Sequence, residues 1–165
     1  MKINQENIKF EKRRSIKEIE EGYSFSPKFN KEGLMPCVTI EENTKEILMV
    51  SFINTEALKK TILSSKAYYY SRSRNKIWLK GEISGMYHDI KNIYIDDDQD
   101  SVIYEVRLYK PTKGGKKASC HVGYKSCFYR KLAVKDQQLT LKFTENKKVF
   151  NPDVIYEGIP NPTKI

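Results

Sequence analysis

The chain has 165 residues, of which 39% are hydrophobic and 12% aromatic, so it is too apolar to be disordered and fits one packed domain. Its formal net charge of +9 favours an anionic substrate or partner, such as a phosphate, a nucleotide or a nucleic acid. The longest apolar stretch, residues 47–53, is too short to span a membrane, and the first residues do not resemble a signal peptide. We therefore expect a cytoplasmic protein whose three cysteines act as metal ligands or catalytic groups rather than as a disulfide framework.

The chain begins with a charged region and continues into two strands and a helix. Residues 1–33 predict an N-terminal arm, either a short helix or an extended segment, that ends in a loop containing proline and glycine. Residues 37–41 and 47–52 predict two strands joined by a turn, and the second strand is apolar enough to be central and buried on both faces. Asn54 is a suitable N-cap, so a helix is predicted over Thr55–Ser64.

From residue 67 onward the pattern changes to short β-strands. The predicted strands cover residues 67–73, 76–80, 87–95, 102–110, 128–134 and 139–143. Two of them flank the acidic residues 96–100, which are therefore expected at the tip of a hairpin. The predicted fold class is α+β, a β-rich single domain with one main helix. Residues 34–152 are expected to form this domain, and residues 153–165 an extended C-terminal tail.

The acidic hairpin tip is a candidate cation site. Asp96, Asp98 and Asp100 alternate, so their carboxylates would share one side of an extended chain or converge around an ion if the chain turns. An EF-hand is excluded because its required glycine and glutamate positions hold Ser101 and Arg107. A solvated acidic turn without a metal is the alternative, although crowded carboxylates repel one another and a cation relieves that repulsion.

Cys120, His121 and Cys127 form a second candidate metal site. Their spacing is not that of a zinc finger. Two thiolates and one further ligand would leave an open coordination position, which is typical of catalytic zinc. The alternative is two free cysteines that pack as small hydrophobic residues.

Residues 66–80 carry five positive charges and no negative charge. Strand alternation would place Arg72 and Arg74 on one face, where two guanidinium groups can hold a phosphate, and Trp78 could stack on a base. The same composition would suit a platform for single-stranded nucleic acid, or simply a solvated basic strand with core aromatic residues.

Taken together, these segments resemble the single-function form of phosphoribosyl-AMP cyclohydrolase over residues 34–152. The matching segments, in chain order, are Leu48-Met49-Val50, Asn54-Thr55-Glu56-Ala57-Leu58, Ser71-Arg72-Ser73-Arg74, Trp78-Leu79-Lys80-Gly81-Glu82-Ile83-Ser84-Gly85, Asp96 to Asp100, Cys120-His121-Val122-Gly123, Ser126-Cys127-Phe128 and Val149-Phe150-Asn151-Pro152. The resemblance implies a metal-dependent hydrolase of histidine biosynthesis that opens the adenine ring of phosphoribosyl-AMP at the N1–C6 bond. It also implies an intimate homodimer with active sites shared across the interface.

The resemblance assigns roles to particular residues. His121 matches the catalytic histidine of the family. Zn²⁺ is implied on Cys120, Cys127 and the position of Asp97, and Mg²⁺ on Asp96, Asp98 and Asp100. The candidates for substrate binding are Arg72, Arg74 and Lys80 for the phosphates, Trp78 for the base, and the backbone N–H groups of Ser84 and Gly85 for the same anions.

Two departures from the family pattern bear on activity. Asp97 stands where the family has a third cysteine, which gives a harder site of two sulfurs and one oxygen unless Cys37 substitutes. Met86 stands where the family has a histidine, with His88 two positions later. A relative with altered or lost activity is therefore one alternative, and a zinc-containing protein that binds single-stranded nucleic acid is the other. Nucleic acid is the less favoured partner, because the acidic cluster would repel a phosphate backbone.

Overall fold

A computed structural model describes residues 8–163, so residues 1–7 of the predicted arm and residues 164–165 of the predicted tail lie outside the described residues. In chain order the elements are α1 (Ile16–Glu21), β1 (Leu34–Glu41), β2 (Ile47–Asn54), α2 (Thr55–Ser64), β3 (Tyr68–Ser71), β4 (Lys76–Leu79), β5 (His88–Ile95), β6 (Val102–Leu108), β7 (Arg130–Lys135), β8 (Gln138–Phe143) and α3 (Pro152–Ile155). The fold is a β-rich single domain of the α+β class. Within residues 8–163, no helix is long and apolar enough to cross a membrane.

Six strands form the main sheet, in the order β4-β3-β2-β1-β6-β5. Strands β1 and β6 pair in parallel and place Cys37 opposite Val102, while the other neighbours are antiparallel. β2 lies inside the sheet as predicted. The prediction that it is buried on both faces is wrong, because Val50 is 51% exposed while Leu48 is fully buried.

Helix α2 has the bounds that the sequence predicts. The Asn54 side chain accepts a hydrogen bond from the Ala57 N–H at 2.8 Å, which satisfies one of the free donors of the first turn. Ala57 and Leu58 then pack into the main core, together with residues of β1, β2 and β6. The helix ends at Ser65, which adopts a left-handed conformation with φ of 55°.

The main core contains polar groups that are partly satisfied internally, since His88 Nε2 has no partner among the described residues. The Tyr69 hydroxyl bonds to Thr39 Oγ1 at 2.8 Å and to His88 Nδ1 at 3.2 Å, and all three residues are fully buried. Cys37 lies in the same core, where burial raises the pKa of its thiol. The idea that Cys37 supplies a third zinc ligand is therefore wrong, because the side chain is enclosed in apolar packing.

A smaller core lies under the C-terminal part of the chain. Met86, Ala118, Phe150 and Ile155 pack together there. Met86, which replaces the histidine of the family pattern, is thus a core residue with no exposed surface. The tail predicted as extended begins instead with the short helix α3, whose first turn packs Ile155 against this core.

The β7–β8 hairpin stands apart from the main sheet. Its register places Leu132 opposite Leu141 and Val134 opposite Leu139, so these four side chains share one face. They are between 54% and 72% exposed. A two-stranded hairpin with an open apolar face is only marginally stable in water.

The N-terminal arm packs against the acidic hairpin tip, residues 96–101, which we call the aspartate loop. The Gln99 side chain accepts the Ser26 N–H at 2.6 Å and donates to the carbonyls of Ile19 and Ser24. The Lys28 ammonium lies 3.2 Å from the carboxylates of both Asp98 and Asp100. The described part of the arm is therefore bound to the domain rather than separate from it.

Candidate active site

The candidate site is built around residues 119–127, which we call the cysteine loop. Two bonds to β2 fix its far end: Cys127 N–H donates to Leu48 O, and Ser126 Oγ donates to Ile47 O, both at 2.7 Å. The Glu145 carboxylate also accepts the Ser126 N–H at 2.9 Å. A loop held by so many internal bonds can present its side chains in a fixed geometry.

The side chains of Cys120 and Cys127 meet within this loop. Their mutual hydrogen bond lowers the pKa of Cys120 to about 7, although burial acts in the opposite direction, and the charge of Lys80 adds to the lowering. The same contact, together with burial, raises the pKa of Cys127. Cys120 is therefore the member of the pair that ionises first as the pH rises, and two adjacent sulfurs are a donor set that suits a soft or borderline metal such as zinc.

Lys80 is buried close enough to the cysteine pair for its charge to act on both thiols. Its ammonium donates to Ser119 O at 2.5 Å, and only 6% of the residue is exposed. Burial lowers the pKa of this ammonium, while the charges of Cys127 and Cys120 favour its protonated form. The structure thus places Lys80 as a neighbour of the thiolate rather than as a free phosphate ligand.

His121 faces the same space. Burial and the nearby charge of Lys80 lower the pKa of its imidazole, so the ring is neutral at physiological pH. Its Nε2 atom is buried and has no hydrogen-bond partner within the described part of the chain. A neutral imidazole with a free nitrogen can accept a proton from a water molecule and return it later.

These groups open onto one cavity of about 720 Å³. Of the residues singled out from the sequence, Arg74, Trp78, Lys80, Ser84, His121 and Cys127 line it. Lys76 and Lys148 add two further positive charges to its wall. The cavity thus combines sulfur and imidazole groups with an aromatic surface and several cations, which suits a phosphorylated aromatic ligand.

Two of the predicted substrate-binding residues, Arg72 and Gly85, lie outside this cavity. Arg72 and Arg74 lie in the turn between β3 and β4, so the prediction that strand alternation pairs them on one face is wrong. The Arg72 guanidinium instead stacks over Phe52, 4.2 Å from the ring centroid. The Gly85 N–H already donates to Gly81 O at 2.8 Å, so it is not free to bind an anion.

Several cavity residues were not predicted from the sequence. Lys148, Tyr156 and residues 159–163 reach the cavity from the C-terminal part of the chain. They carry no local motif, and only the packing of Ile155 into the smaller core brings them to the cysteine loop. The proline spacing in the tail is the one signal that could have suggested an ordered segment there.

The aspartate loop forms a separate cluster. One carboxylate oxygen each from Asp96, Asp97 and Asp98 lies within 4.8 Å of the others. Asp100 does not belong to this group, and its carboxylate, like that of Asp98, pairs with Lys28. The assignment of Mg²⁺ to Asp96, Asp98 and Asp100 therefore stays a prediction, of which Asp96 and Asp98 lie in this cluster. The loop lies at the β5 edge of the sheet and does not line the cavity.

The residues present fit the metals that the resemblance implies, with one difference. Cys120 and Cys127 offer two adjacent sulfurs for zinc, and Asp96 to Asp98 offer three carboxylates for a hard cation such as magnesium. Within residues 8–163, that carboxylate group is the only set of three or more possible ligands that lie together. A single chain therefore brings together two of the implied zinc ligands, and among the described residues no third one lies with them.

Comparison with known proteins agrees with this chemistry. The family model described as phosphoribosyl-AMP cyclohydrolase matches residues 49–129. A protein of that name from Bradyrhizobium diazoefficiens is 43% identical over 140 residues, which cover 85% of this chain and 95% of the relative. Namesakes from Rhodopseudomonas palustris strain HaA2 and Caulobacter vibrioides strain NA1000 / CB15N are also 43% identical, over 86% and 74% of this chain and 93% and 85% of their own lengths.

Proposed function

Because the chain belongs to the phosphoribosyl-AMP cyclohydrolase family and is such an enzyme of histidine biosynthesis, we propose that its cavity hydrolyses the N1–C6 bond of phosphoribosyl-AMP with the help of metal ions. The observation that carries this proposal is that Cys127, His121 and four cationic side chains line one cavity, with Cys120 hydrogen-bonded to Cys127 beside it. Each of these groups has a part in the reaction.

The reaction adds one water molecule across the N1–C6 bond. A ribosyl group on N1 makes the ring electron-poor, so C6 is a better electrophile than in AMP. Water adds to C6, the C6–N1 bond breaks, C6 becomes the carbon of a carboxamide, and N1 takes up a proton. His121 is suited to both proton transfers, because its neutral ring can accept the proton of the water and then donate it to N1.

Zinc is the metal proposed for the cysteine pair. When bound, it supplies a water molecule whose pKa is near neutrality. Cys120 and Cys127 would hold the ion through sulfur, and Lys80 would balance part of the negative charge that two thiolates bring. Asp97 is proposed as the third ligand through a carboxylate oxygen, which makes the site harder than one of three sulfurs.

We further propose that Asp97 reaches the cysteines of a second copy of the chain in a homodimer. In one chain the aspartate loop lies at the β5 edge, whereas the cysteine loop is bonded to β2, so the two sets belong to different parts of the sheet. The exposed apolar face of the β7–β8 hairpin supports association with a second copy, because it leaves four large side chains uncovered. Magnesium would be held by the neighbouring Asp96 and Asp98, close to the substrate phosphates.

The substrate carries two phosphate groups, and the cavity offers cations for them. Arg74, Lys76 and Lys148 are the proposed phosphate ligands, and they replace the predicted pair of Arg72 and Arg74. Trp78 offers an aromatic surface to the base. The anionic substrate thus accounts for part of the net charge of +9 without nucleic acid as a partner.

A relative with lost activity is the second candidate, because of Asp97 and Met86. Met86 gives little support to it, since this side chain is fully buried in the smaller core and removes no group from the cavity. Asp97 remains the departure that matters, because it changes a sulfur donor to an oxygen donor.

The proposed function is tested by the turnover of phosphoribosyl-AMP. We expect the metal-loaded enzyme to be active, and activity to be lost on treatment with a chelator and restored by zinc. Cys120→Ala and His121→Ala should each remove nearly all activity, while Cys37→Ala, a core cysteine away from the cavity, serves as the matched control. Full activity in either of the first two variants would overturn the mechanism, and an inactive zinc-loaded enzyme would favour the second candidate.

A further inference from the structure

One wall of the cavity is formed by residues 159–163, which we call the C-terminal wall. All five residues line the cavity, which they share with His121 and Cys127. Each of the five is also exposed to solvent on its outer side. The segment therefore separates the candidate active site from bulk water at this position, and none of the chemistry described so far uses it.

The C-terminal wall is anchored to the domain just before it begins. Helix α3 packs Ile155 against Met86 in the smaller core, where only 6% of Ile155 is exposed. The chain then reverses at Gly158, whose φ of +71° lies in the left-handed region. The Ile159 N–H donates back to Tyr156 O at 2.9 Å. The position of the wall is thus set by the core and not by the exposed residues alone.

Two prolines make the C-terminal wall stiff. Pro160 and Pro162 have fixed φ angles and also restrict the residues before them, Ile159 and Asn161, to extended conformations. The Asn161 side-chain oxygen accepts the Thr163 N–H at 2.9 Å, which fixes the asparagine further. A segment that is already ordered in this way loses little conformational entropy when a ligand binds against it.

Asn161 and His121 line the same cavity from two different segments of the chain. Burial and the charge of Lys80 lower the pKa of the imidazole, while Asn161 acts to raise it. The Nε2 atom of His121 has no hydrogen-bond partner inside residues 8–163. Asn161 is therefore the group best placed to limit rotation of the imidazole.

We propose that the C-terminal wall forms part of the binding site for the substrate and that Asn161 is a positioning residue for His121. This inference rests on the proposed function for the identity of the ligand, a phosphorylated adenine nucleoside. Ile159 and Pro160 offer apolar surface to the purine and ribose rings, while Asn161 holds the imidazole toward the reacting atoms. Trp78 and the cations Arg74 and Lys76 line other parts of the same cavity.

Ligand binding can be measured without turnover, because the only tryptophan of the chain, Trp78, lines the cavity. We would titrate AMP while recording Trp78 fluorescence, in the full chain and in a chain that ends after Gly158. The shortened chain should bind AMP about tenfold more weakly, since it lacks the wall. Its unfolding temperature should match that of the full chain, because the removed residues are exposed and Ile155 is retained. Equal affinities, or no fluorescence response in the full chain, would overturn the proposal.

The positioning role is tested by Asn161→Ala in steady-state kinetics. We expect kcat to fall about tenfold while KM stays within about twofold, because the imidazole loses its orientation but the binding surface remains. Glu157→Ala is the matched control, since Glu157 is exposed and lies outside the cavity lining. An unchanged kcat in Asn161→Ala would contradict the positioning role. A full chain that binds AMP but never turns over phosphoribosyl-AMP would instead contradict the proposed function and leave the role of the wall in binding intact.

Discussion

The buried ammonium of Lys80 donates to the carbonyl oxygen of Ser119, the residue directly before Cys120. Burying a charge in this way is costly unless an opposite charge lies nearby. The thiolate of Cys120 provides that charge, and each group favours the ionised form of the other. Lys80 therefore supports the sulfur chemistry of the site, in a role that its place in a basic segment did not suggest.

Lys80→Met should raise the pKa of Cys120 above its present value of about 7, because methionine keeps most of the volume but removes the positive charge. The rate of alkylation of Cys120 by iodoacetamide in metal-free protein, followed against pH, would report this shift. Lys76→Met is the matched control, since Lys76 is exposed and also lines the cavity. The same pH profile in Lys80→Met and wild type would contradict the assignment.

Mixing two inactive variants should restore activity if the site is shared between subunits. Asp97→Asn and Cys120→Ala damage different proposed contributions, so a mixed dimer keeps one intact site. After subunit exchange, half of the dimers are mixed and each has one of two sites intact, so about a quarter of wild-type activity should return. Turnover of phosphoribosyl-AMP by the mixture measures this.

The control for that experiment mixes Cys120→Ala with His121→Ala. Both positions lie on the same cysteine loop, so either subunit of a mixed dimer brings a damaged loop and no activity should return. Recovery in both mixtures, or in neither, would be inconsistent with a site in which Asp97 and the cysteine pair come from different subunits.

Gln99→Ala should reduce the free energy of unfolding by about 1–3 kcal/mol, because the Gln99 amide is 6% exposed and its loss leaves backbone groups without partners. The groups affected are the Ser26 N–H and the carbonyls of Ile19 and Ser24. Urea unfolding of the variant against wild type measures the change. Gln138→Ala, at an exposed glutamine of β8, should have little effect, and equal stability losses in the two variants would refute the role given to Gln99.

Glu41 should make stability depend on pH in the acidic range. Burial alone would raise the pKa of Glu41, but hydrogen bonds from Thr44 and Asn43 lower it to about 2. Because this is below the unfolded value of about 4.3, the carboxylate contributes about 3 kcal/mol above that pH, and this is lost as the pH falls toward 2.

Comparison of wild type with Glu41→Gln isolates this contribution. At pH 7 the variant should be less stable in urea, and the difference between the two proteins should shrink as the pH is lowered from about 4.5 to 2. A constant difference across that range would show that the Glu41 carboxylate has an ordinary pKa in the folded protein.

Local patterns predicted most of the regular elements, with α3 as an exception, but not how the elements assemble. The N-cap at Asn54 and the apolar spacing after it define α2, and both depend on residues close in sequence. The parallel pairing of β1 with β6 joins residues about 65 positions apart, and no local pattern encodes it. The same limit explains why Arg72 and Arg74 were assigned to a strand. Both lie in the turn between β3 and β4, and that turn is fixed by the pairing of the two strands.

The candidate site divides in a similar way. Cys120, His121 and Cys127 are close in sequence and were identified together, whereas the C-terminal wall reaches them only through the packing of Ile155. The third cysteine also shows that the role of a residue depends on the tertiary structure. Cys37 has the chemistry of a ligand, but its place in the main core makes it a packing residue, and only the tertiary structure distinguishes the two roles.

The parallel β1–β6 pairing also has a consequence for how the protein is made. β1 has no neighbour on one of its edges until the ribosome has released β6, so the N-terminal strands must wait for about 65 residues of further synthesis. The aspartate loop directly precedes β6 and therefore takes its final position only in this late step. Maturation of the proposed catalytic centre and closure of the sheet thus belong to a single folding event.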